Sequence, residues 1–258
     1  MPDSVALANA ERASLKAMSL DDSLAGVHGT TALVREYVHW DWSGSEREYR
    51  LAISLDGQAA RFHAALGSLL VVLGKNDEAL REGRVAVQLE PTSLGINAQL
   101  AESLYLARRY DDAIQQARNT LNMESSFFEA AETLAKALHQ KGRDREAIEV
   151  LKRDSAPILD TSYPRALLVA LYASSGNKDD AKSLLQTLQV KASRYWVSPC
   201  DIALATTGLD DPETAIRLLN QAYEEHDSNL IFLSAEPLYD SLRSDPQFQD
   251  LVQKMRFP

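Results

Sequence analysis

The chain has 258 residues, of which 45% are apolar and 25% charged, enough to build one large domain or a repeat array and too apolar for a disordered chain. Its net charge of -10 argues against a surface that tracks phosphates, so nucleic acid is not an expected partner of this segment. No apolar run is long enough to span a bilayer, no basic-then-apolar leader opens the chain, and the single cysteine, Cys200, rules out an internal disulfide; a cytoplasmic location without membrane contact is expected.

The first predicted element is a helix within residues 4–22, with Leu7, Ala10, Ser14 and Ala17 at spacings of three and four. It reads as the second helix of a pair whose own first helix is missing. Such an end needs a cover for its apolar face. A second copy of the chain, giving a homodimer, or an upstream domain is expected there.

Residues 23–57 form the next pair and contain "HWDWSGSEREYRLAISLDG". Its histidine, tryptophans and acids resemble a reactive site at first glance. Ser43 and Glu46, however, have capping-box spacing for a following helix. Ser45, Tyr49 and Ala52 anticipate Ala79, Gly83 and Ala86 one period later, and Trp42 takes the place of Tyr110 with a one-residue insertion. The stretch is predicted to be a joint.

Residues 58–91 are the clearest unit, with Leu66, Gly67, Gly74, Ala79, Ala86 and Pro91. From it three ladders run forward at about 34 residues: Ala79, Ala113, Ala147, Ala181; Leu66, Leu100, Leu134, Leu168; and Gly74, Arg108, Gly142, Gly176. They define units 92–125, 126–160 and 161–192. The alanines let paired helices approach closely, and small Gly67 and Ala101 mark crossings. The turn glycines allow the left-handed residue that ends a helix. Unit 193–226 looks less regular, since Cys200 and Gly208 each fall two residues short of their ladders, although Ala215, Ala222 and Pro212 mark a second helix. Residues 227–258 read as a C-terminal cap. Its last helix lies in "RSDPQFQDLVQKM", with Ser244 and Gln247 at capping-box spacing and Pro246 in the first turn.

The period and the residues that keep it resemble the tetratricopeptide repeat (TPR), two antiparallel helices per unit. The resemblance implies an all-α, right-handed superhelix, an α-solenoid of about six helix-turn-helix units with a C-terminal capping helix. At a finer grain, "LYLARRYDDAIQQARNTLNM", "RYWVSPCDIALATTG" and "PLYDSLRSDPQFQDLVQKM" resemble the C-terminal repeat regions of large bacterial signalling proteins. There the array follows a winged-helix, kinase or cyclase domain. This implies a non-catalytic interaction module, or alternatively a ligand-sensing, regulatory one.

Little in the sequence suggests an enzyme. The acid pairs Asp77/Glu78, Asp111/Asp112, Asp179/Asp180 and Asp210/Asp211 recur where a second helix begins, and negative charge there offsets the helix dipole. His28, His39, His63, His139 and His226 show no metal-ligand spacing; His28 and His63 share one position on successive first helices and are expected to pack. Cys200 falls at the core ladder and is not an expected nucleophile. Phosphate-loop, dinucleotide, hydrolase and kinase signatures are missing. No catalytic residue, cofactor or metal is expected.

The expected function is protein or peptide binding in the concave groove. Successive first helices line that groove with a stripe at spacings of three and four. The stripe comprises Arg61, Ala64 and Ser68, then Ala98, Glu102 and Tyr105, then Glu129, Glu132, Lys136 and His139. Glu102 should neighbour Lys136, and Tyr105 should neighbour His139; a mixed-charge segment with an apolar or aromatic anchor would suit Tyr105. The basic and amide pattern with which other TPR domains clamp a carboxylate is missing, with Gly29, Leu33 and Ala65 in its place. An acidic chaperone tail is therefore a poor partner.

Overall fold

From Trp42 onward, a second helix begins every 34 residues, at Trp42, Asn76, Tyr110, Asp144, Lys178 and Pro212. A computed structural model describes residues 3–154 and 161–257, with the side chains of 3–7, 153 and 154 outside the description. Residues 155–160, the end of the 126–160 unit, thus lie outside it, as does the side chain of Leu7. The lone helix α1 spans Asp3–Leu20. Six pairs follow: α2 (Ala25–Tyr37) with α3 (Trp42–Leu55), α4 (Ala60–Val72) with α5 (Asn76–Leu89), α6 (Leu94–Leu106) with α7 (Tyr110–Met123), α8 (Phe128–Gln140) with α9 (Asp144–Asp154), α10 (Ser162–Ser174) with α11 (Lys178–Ala192), and α12 (Pro199–Gly208) with α13 (Pro212–Glu224). Two short 3-10 turns, Ser228–Phe232 and Pro237–Leu242, lead to α14 (Pro246–Lys254). No strand occurs among the described residues.

The turn inside each pair is set by one left-handed residue, again 34 apart: Trp40, Gly74, Arg108, Gly142, Gly176 and Asp210 all have φ between 49° and 88°. A left-handed residue after a helix satisfies its last carbonyls and reverses the chain. Asp210 corrects the apparent slip in the last unit. The turn residue is Asp210, not Gly208, and the repeat has kept its phase. Gly208 is small for a different reason: a Cβ there would sit 2.5 Å from Ala170 Cα, so it permits α12 to cross α10. Trp42 likewise needs no insertion, because it opens α3 as Tyr110 opens α7 two periods later.

The alanine ladder is the core. Ala79, Ala113, Ala147, Ala181 and Ala215, with Ser45 one step earlier, are fully buried. A Cβ on Gly67 would lie 3.0 Å from the carbonyl of Ala79, so glycine sets the α4–α5 spacing. Two caps differ from expectation. Asp41, not Ser43, caps α3, accepting from the Gly44 amide at 2.9 Å while Arg35 holds its other oxygen at 2.7 Å. Asp245, not Ser244, caps α14, accepting from the Gln247 amide at 2.8 Å. A carboxylate accepts more strongly than a hydroxyl at a helix N-terminus, which explains both choices.

A polar clip repeats across the first three pairs. His28 joins Glu48 (2.8 Å) to the Asp22 carbonyl (2.7 Å), and His63 joins Glu82 (2.7 Å) to the Gly57 carbonyl (3.2 Å). In the third pair Asn97 donates to the Pro91 carbonyl (2.9 Å) and accepts from Gln116 (2.8 Å). Each clip ties both helices of a pair to the preceding turn, so these histidines pack and also hydrogen-bond.

The chain then closes on itself. Met255, just beyond α14, accepts from the buried Trp42 indole N–H at 2.8 Å, and Phe257 stacks on the same ring. His226 donates to the Val38 carbonyl at 2.7 Å and stacks on Trp40 with centroids 3.8 Å apart. The aromatic stretch that opens α3 is thus a joint between the two ends of the array. By contrast, the polar contacts of α1 with the array are few: the Ser14 hydroxyl meets that of Thr31 at 2.9 Å, and Glu11 lies 3.0 Å from His39 Nε2. Ala10 is exposed and Ala17 half-buried.

Candidate functional site

The first helices α4, α6, α8, α10 and α12 form the inner face, and their sequences explain why. Three of them, α4, α6 and α10, are largely apolar because they pack against a partner helix and against neighbouring first helices, whereas α8 carries Glu129, Glu132, Lys136 and His139. The second helices carry most of the charge, and ion pairs join one unit to the next: Arg50 with Glu78 and Arg118 with Glu146 between second helices, and Lys75 with Glu46 and Lys141 with Asp111 from the turns. The predicted acid pairs sit mostly in the first turns of these outer helices.

The segment after α13 enters the concave side and divides it. Leu230, Ile231, Leu233, Tyr239 and Leu242 are buried. Ser234 donates to the Val72 carbonyl at 3.0 Å, Tyr105 donates to Glu236, and Arg108 makes a two-pronged contact with Asp240 at 2.5 and 2.7 Å. The stripe predicted from sequence is therefore split into a covered and an open part.

Tyr105 and Lys136 are covered. Tyr105 is fully buried and Lys136 is 2% exposed, so neither presents a surface to a partner. A first-helix stripe fixes which side chains face inward, but here the chain's own C-terminal segment lies on them. Lys136 Nζ lies 3.0 Å from Glu132, 3.5 Å from Glu102 and 3.9 Å from Glu236, and 5.0 Å above the Tyr105 ring. Burial opposes its charge, but Tyr163, Glu132, Glu236 and Glu102 outweigh that and hold the ammonium protonated, well above its ordinary range. His139 is half-buried and occupied by Asp144 at 2.6 Å, while Tyr105 meets Tyr110 with centroids 6.0 Å apart.

The open part is a trough of about 430 Å³ across α4, α6 and α8. Arg61, Ala98, Glu102, Glu129 and Glu132 line it, with Ile96 and Phe127 as apolar floor and Glu90 at one side. Ser68 is half-buried on α4 and does not line it. Four carboxylates and one guanidinium line it, and Lys136 behind Glu102 and Glu132 offsets part of their charge, so the trough remains acidic with an apolar base. Ile96, Phe127 and Glu90 escaped sequence reasoning because they lie outside the stripe's spacing: Ile96 and Phe127 stand at the starts of α6 and α8, two residues before it, and Glu90 ends α5.

Glu102 and Glu132 also border a second, partly open hollow of about 190 Å³, between α6, α8, α10, α12 and the C-terminal segment. Asp201 lies in it at 3% exposure. Burial pushes its carboxyl up to about 7; a hydrogen bond from Ser162 opposes that, and the charges of Asp227 and Glu132 reinforce it. Cys200 beside it is buried, and burial with Asp227 and Asp201 nearby keeps the thiol well above its usual range. It is a buried core residue whose thiol is held in the protonated form. Among the described residues, no group of three ligating side chains could hold a metal ion.

Six helix pairs in strict phase, a left-handed turn residue in each and an inner face of first helices define the class: the chain has the tetratricopeptide-repeat fold. Solved structures agree. A tetratricopeptide repeat protein from Parabacteroides merdae is similar with a TM-score of 0.56 at 13% identity, over 92% of this chain and 93% of that one. PilW, a type IV pilus biogenesis factor, has a TM-score of 0.63 at 16% identity, over 76% and 89%. The Cut9–Hcn1 hetero-tetramer of APC/C has a TM-score of 0.66 at 14% identity, over 96% of this chain and 46% of that one. No protein-family model and no curated protein matches the sequence.

Proposed function

We propose that this chain is a non-catalytic scaffold that binds an extended segment of another protein in the trough of α4, α6 and α8. The observation that supports this most is the trough itself. The part of the concave face left open by the C-terminal segment joins an apolar floor, Ile96 and Phe127, to the acidic rim of Glu90, Glu102, Glu129 and Glu132. Apolar floor with polar rim is the make-up of a protein-binding surface. The excess of carboxylates selects a basic segment with an apolar side chain, and it disfavours nucleic acid by repulsion. Proteins of this fold also occur in assemblies, as in the Cut9–Hcn1 hetero-tetramer. No helix among the described residues is long and apolar enough to cross a membrane, and a protein partner in the cytoplasm fits this reading.

The test compares a partner's affinity for three forms of the chain, once that partner has been purified. Glu129→Lys reverses an exposed charge of the trough without touching the core, and Gln115→Lys adds the same charge on the outer surface of α7. The trough variant is expected to weaken binding by about tenfold or more, the outer variant by less than about twofold. Equal affinity of all three forms places the surface elsewhere.

A further inference from the structure

The hollow bordered by Glu102 and Glu132 holds more acid than the fold needs. Four carboxylates, Glu102, Glu132, Glu236 and Asp201, line it with a single cation, Lys136. Lys136 is paired to Glu132, Glu102 and Glu236, and Glu236 is further satisfied by Tyr105 and by the Leu238 amide at 3.1 Å. Asp201 remains. Ser162 serves one side of its carboxyl, and its Oδ1 is buried without a hydrogen-bond partner. A buried carboxylate oxygen with nothing to accept from is costly and points to a missing donor. The walls include the rings of Tyr163, Phe232 and Tyr239, and a delocalised cation is favoured against aromatic faces.

We propose that this hollow receives an arginine side chain from the protein segment bound in the trough, with the guanidinium donating to Asp201 Oδ1. The inference rests on the trough reading, because Glu102 and Glu132 border both spaces and place them side by side. A side chain turned inward from a segment over α6 and α8 would pass beside those two acids. The volume suits the occupant: 190 Å³ is the liquid volume of about six waters, room for a planar guanidinium and the end of its stem. Arginine fits better than lysine. Its fork of donors can serve Asp201 and a second acceptor together, and it stacks on aromatic rings. The Asn229 side chain also lines the space and offers that second acceptor.

The experiment uses the full chain and a simple probe, N-acetyl-arginine methylamide, with the neutral citrulline analogue as control. Binding is followed by fluorine NMR of chain labelled with 3-fluorotyrosine, in which Tyr163 and Tyr239 report on the hollow. The arginine probe is expected to shift these signals saturably, and the citrulline analogue to leave them unmoved. Asp201→Asn and the milder Glu102→Gln, at the mouth of the hollow, should each weaken the probe by about tenfold. Folding of both variants is checked by circular dichroism. An arginine-centred peptide should displace the probe, and its alanine counterpart should not.

Absence of a saturable shift, equal response to citrulline, or full affinity in both variants would mean a hollow holding water only, and would overturn the proposal. Probe binding that no arginine peptide can displace would make the hollow a site for a free small cation, overturning the peptide source. Glu129→Lys separates this inference from the reading it rests on, because Glu129 lines the trough and not the hollow. If that variant leaves the affinity of a purified partner unchanged while the probe still binds, the trough reading fails and takes the trough-bound source of the arginine with it, while the hollow's selectivity for arginine stands. If it weakens the partner while the probe never binds, the arginine inference fails alone.

Discussion

Glu36 on α2 is buried at 5% exposure against hydroxyl groups: Ser45 and Tyr49 donate to Oε2 at the long distances of 3.5 and 3.4 Å. Burial raises its carboxyl from 4.5 to about 7, and the two hydroxyl contacts only partly oppose that. The folded chain thus holds this proton more tightly than the unfolded chain does. The stability it contributes is complete below the unfolded value and is lost as pH rises through 7. A shift from 4.5 to about 7, at 1.36 kcal/mol per unit, amounts to about 3 kcal/mol. Glu36→Gln keeps the shape, still accepts from Tyr49 and cannot ionise. Urea unfolding of the two forms, followed by far-UV circular dichroism, should agree within about 1 kcal/mol near pH 5 and differ by about 3 kcal/mol in favour of the variant near pH 8. Asp201, also raised to about 7, titrates in both forms and cancels in the difference. A difference that is the same at both pH values, or that grows toward acid, would refute the argument.

Four further variants probe the packing. Trp42→Phe removes the indole donor from the buried Met255 carbonyl and should cost about 1–3 kcal/mol in urea unfolding, loosening the joint between the array's ends. Ala113→Leu, at a fully buried ladder position, should overpack α6 against α7 and cost about 1–3 kcal/mol; thermal unfolding reads it. Gly208→Ala drives a methyl into the α10 backbone, where the Ala170 Cα lies 2.5 Å away, whereas Gly95 has open space around it. The first change should destabilise by at least about 1 kcal/mol, and Gly95→Ala should stabilise by about 0.5–1 kcal/mol. The same sign for both would discard the close-approach explanation of Gly208.

The fold was legible because a repeat states its rule several times over. Alanine at 79, 113, 147 and 181 reports one helix contact four times, and the structure buries every copy. The apparent slip at Cys200 and Gly208 came from tracking residue types when the constraint was backbone geometry: Asp210 takes the left-handed turn that glycine takes elsewhere. A short polar residue can hold that conformation, so composition alone misplaced the turn. The groove was only half legible. Spacing of three and four along α6 and α8 identified inward-facing side chains, but it carries no record of what lies on them. The segment that covers Tyr105 and Lys136 has no period, and its contacts, such as Tyr105 with Glu236, join residues far apart in sequence. The polar clips were missed in part for a similar reason. His28 and His63 show their common place, but Asn97 performs the same task with different chemistry.

The central claim is that a partner lies in the trough of α4, α6 and α8. The most direct measurement is site-specific photo-crosslinking in the native cell, with benzoylphenylalanine placed at Gln99, exposed in the trough, and at Gln115, exposed on the outer helix. A discrete protein adduct is expected from position 99 that disappears when Glu129→Lys is added, and none of the same mass from position 115. An adduct formed from position 115 and not from 99, or one from 99 that survives Glu129→Lys undiminished, would contradict it.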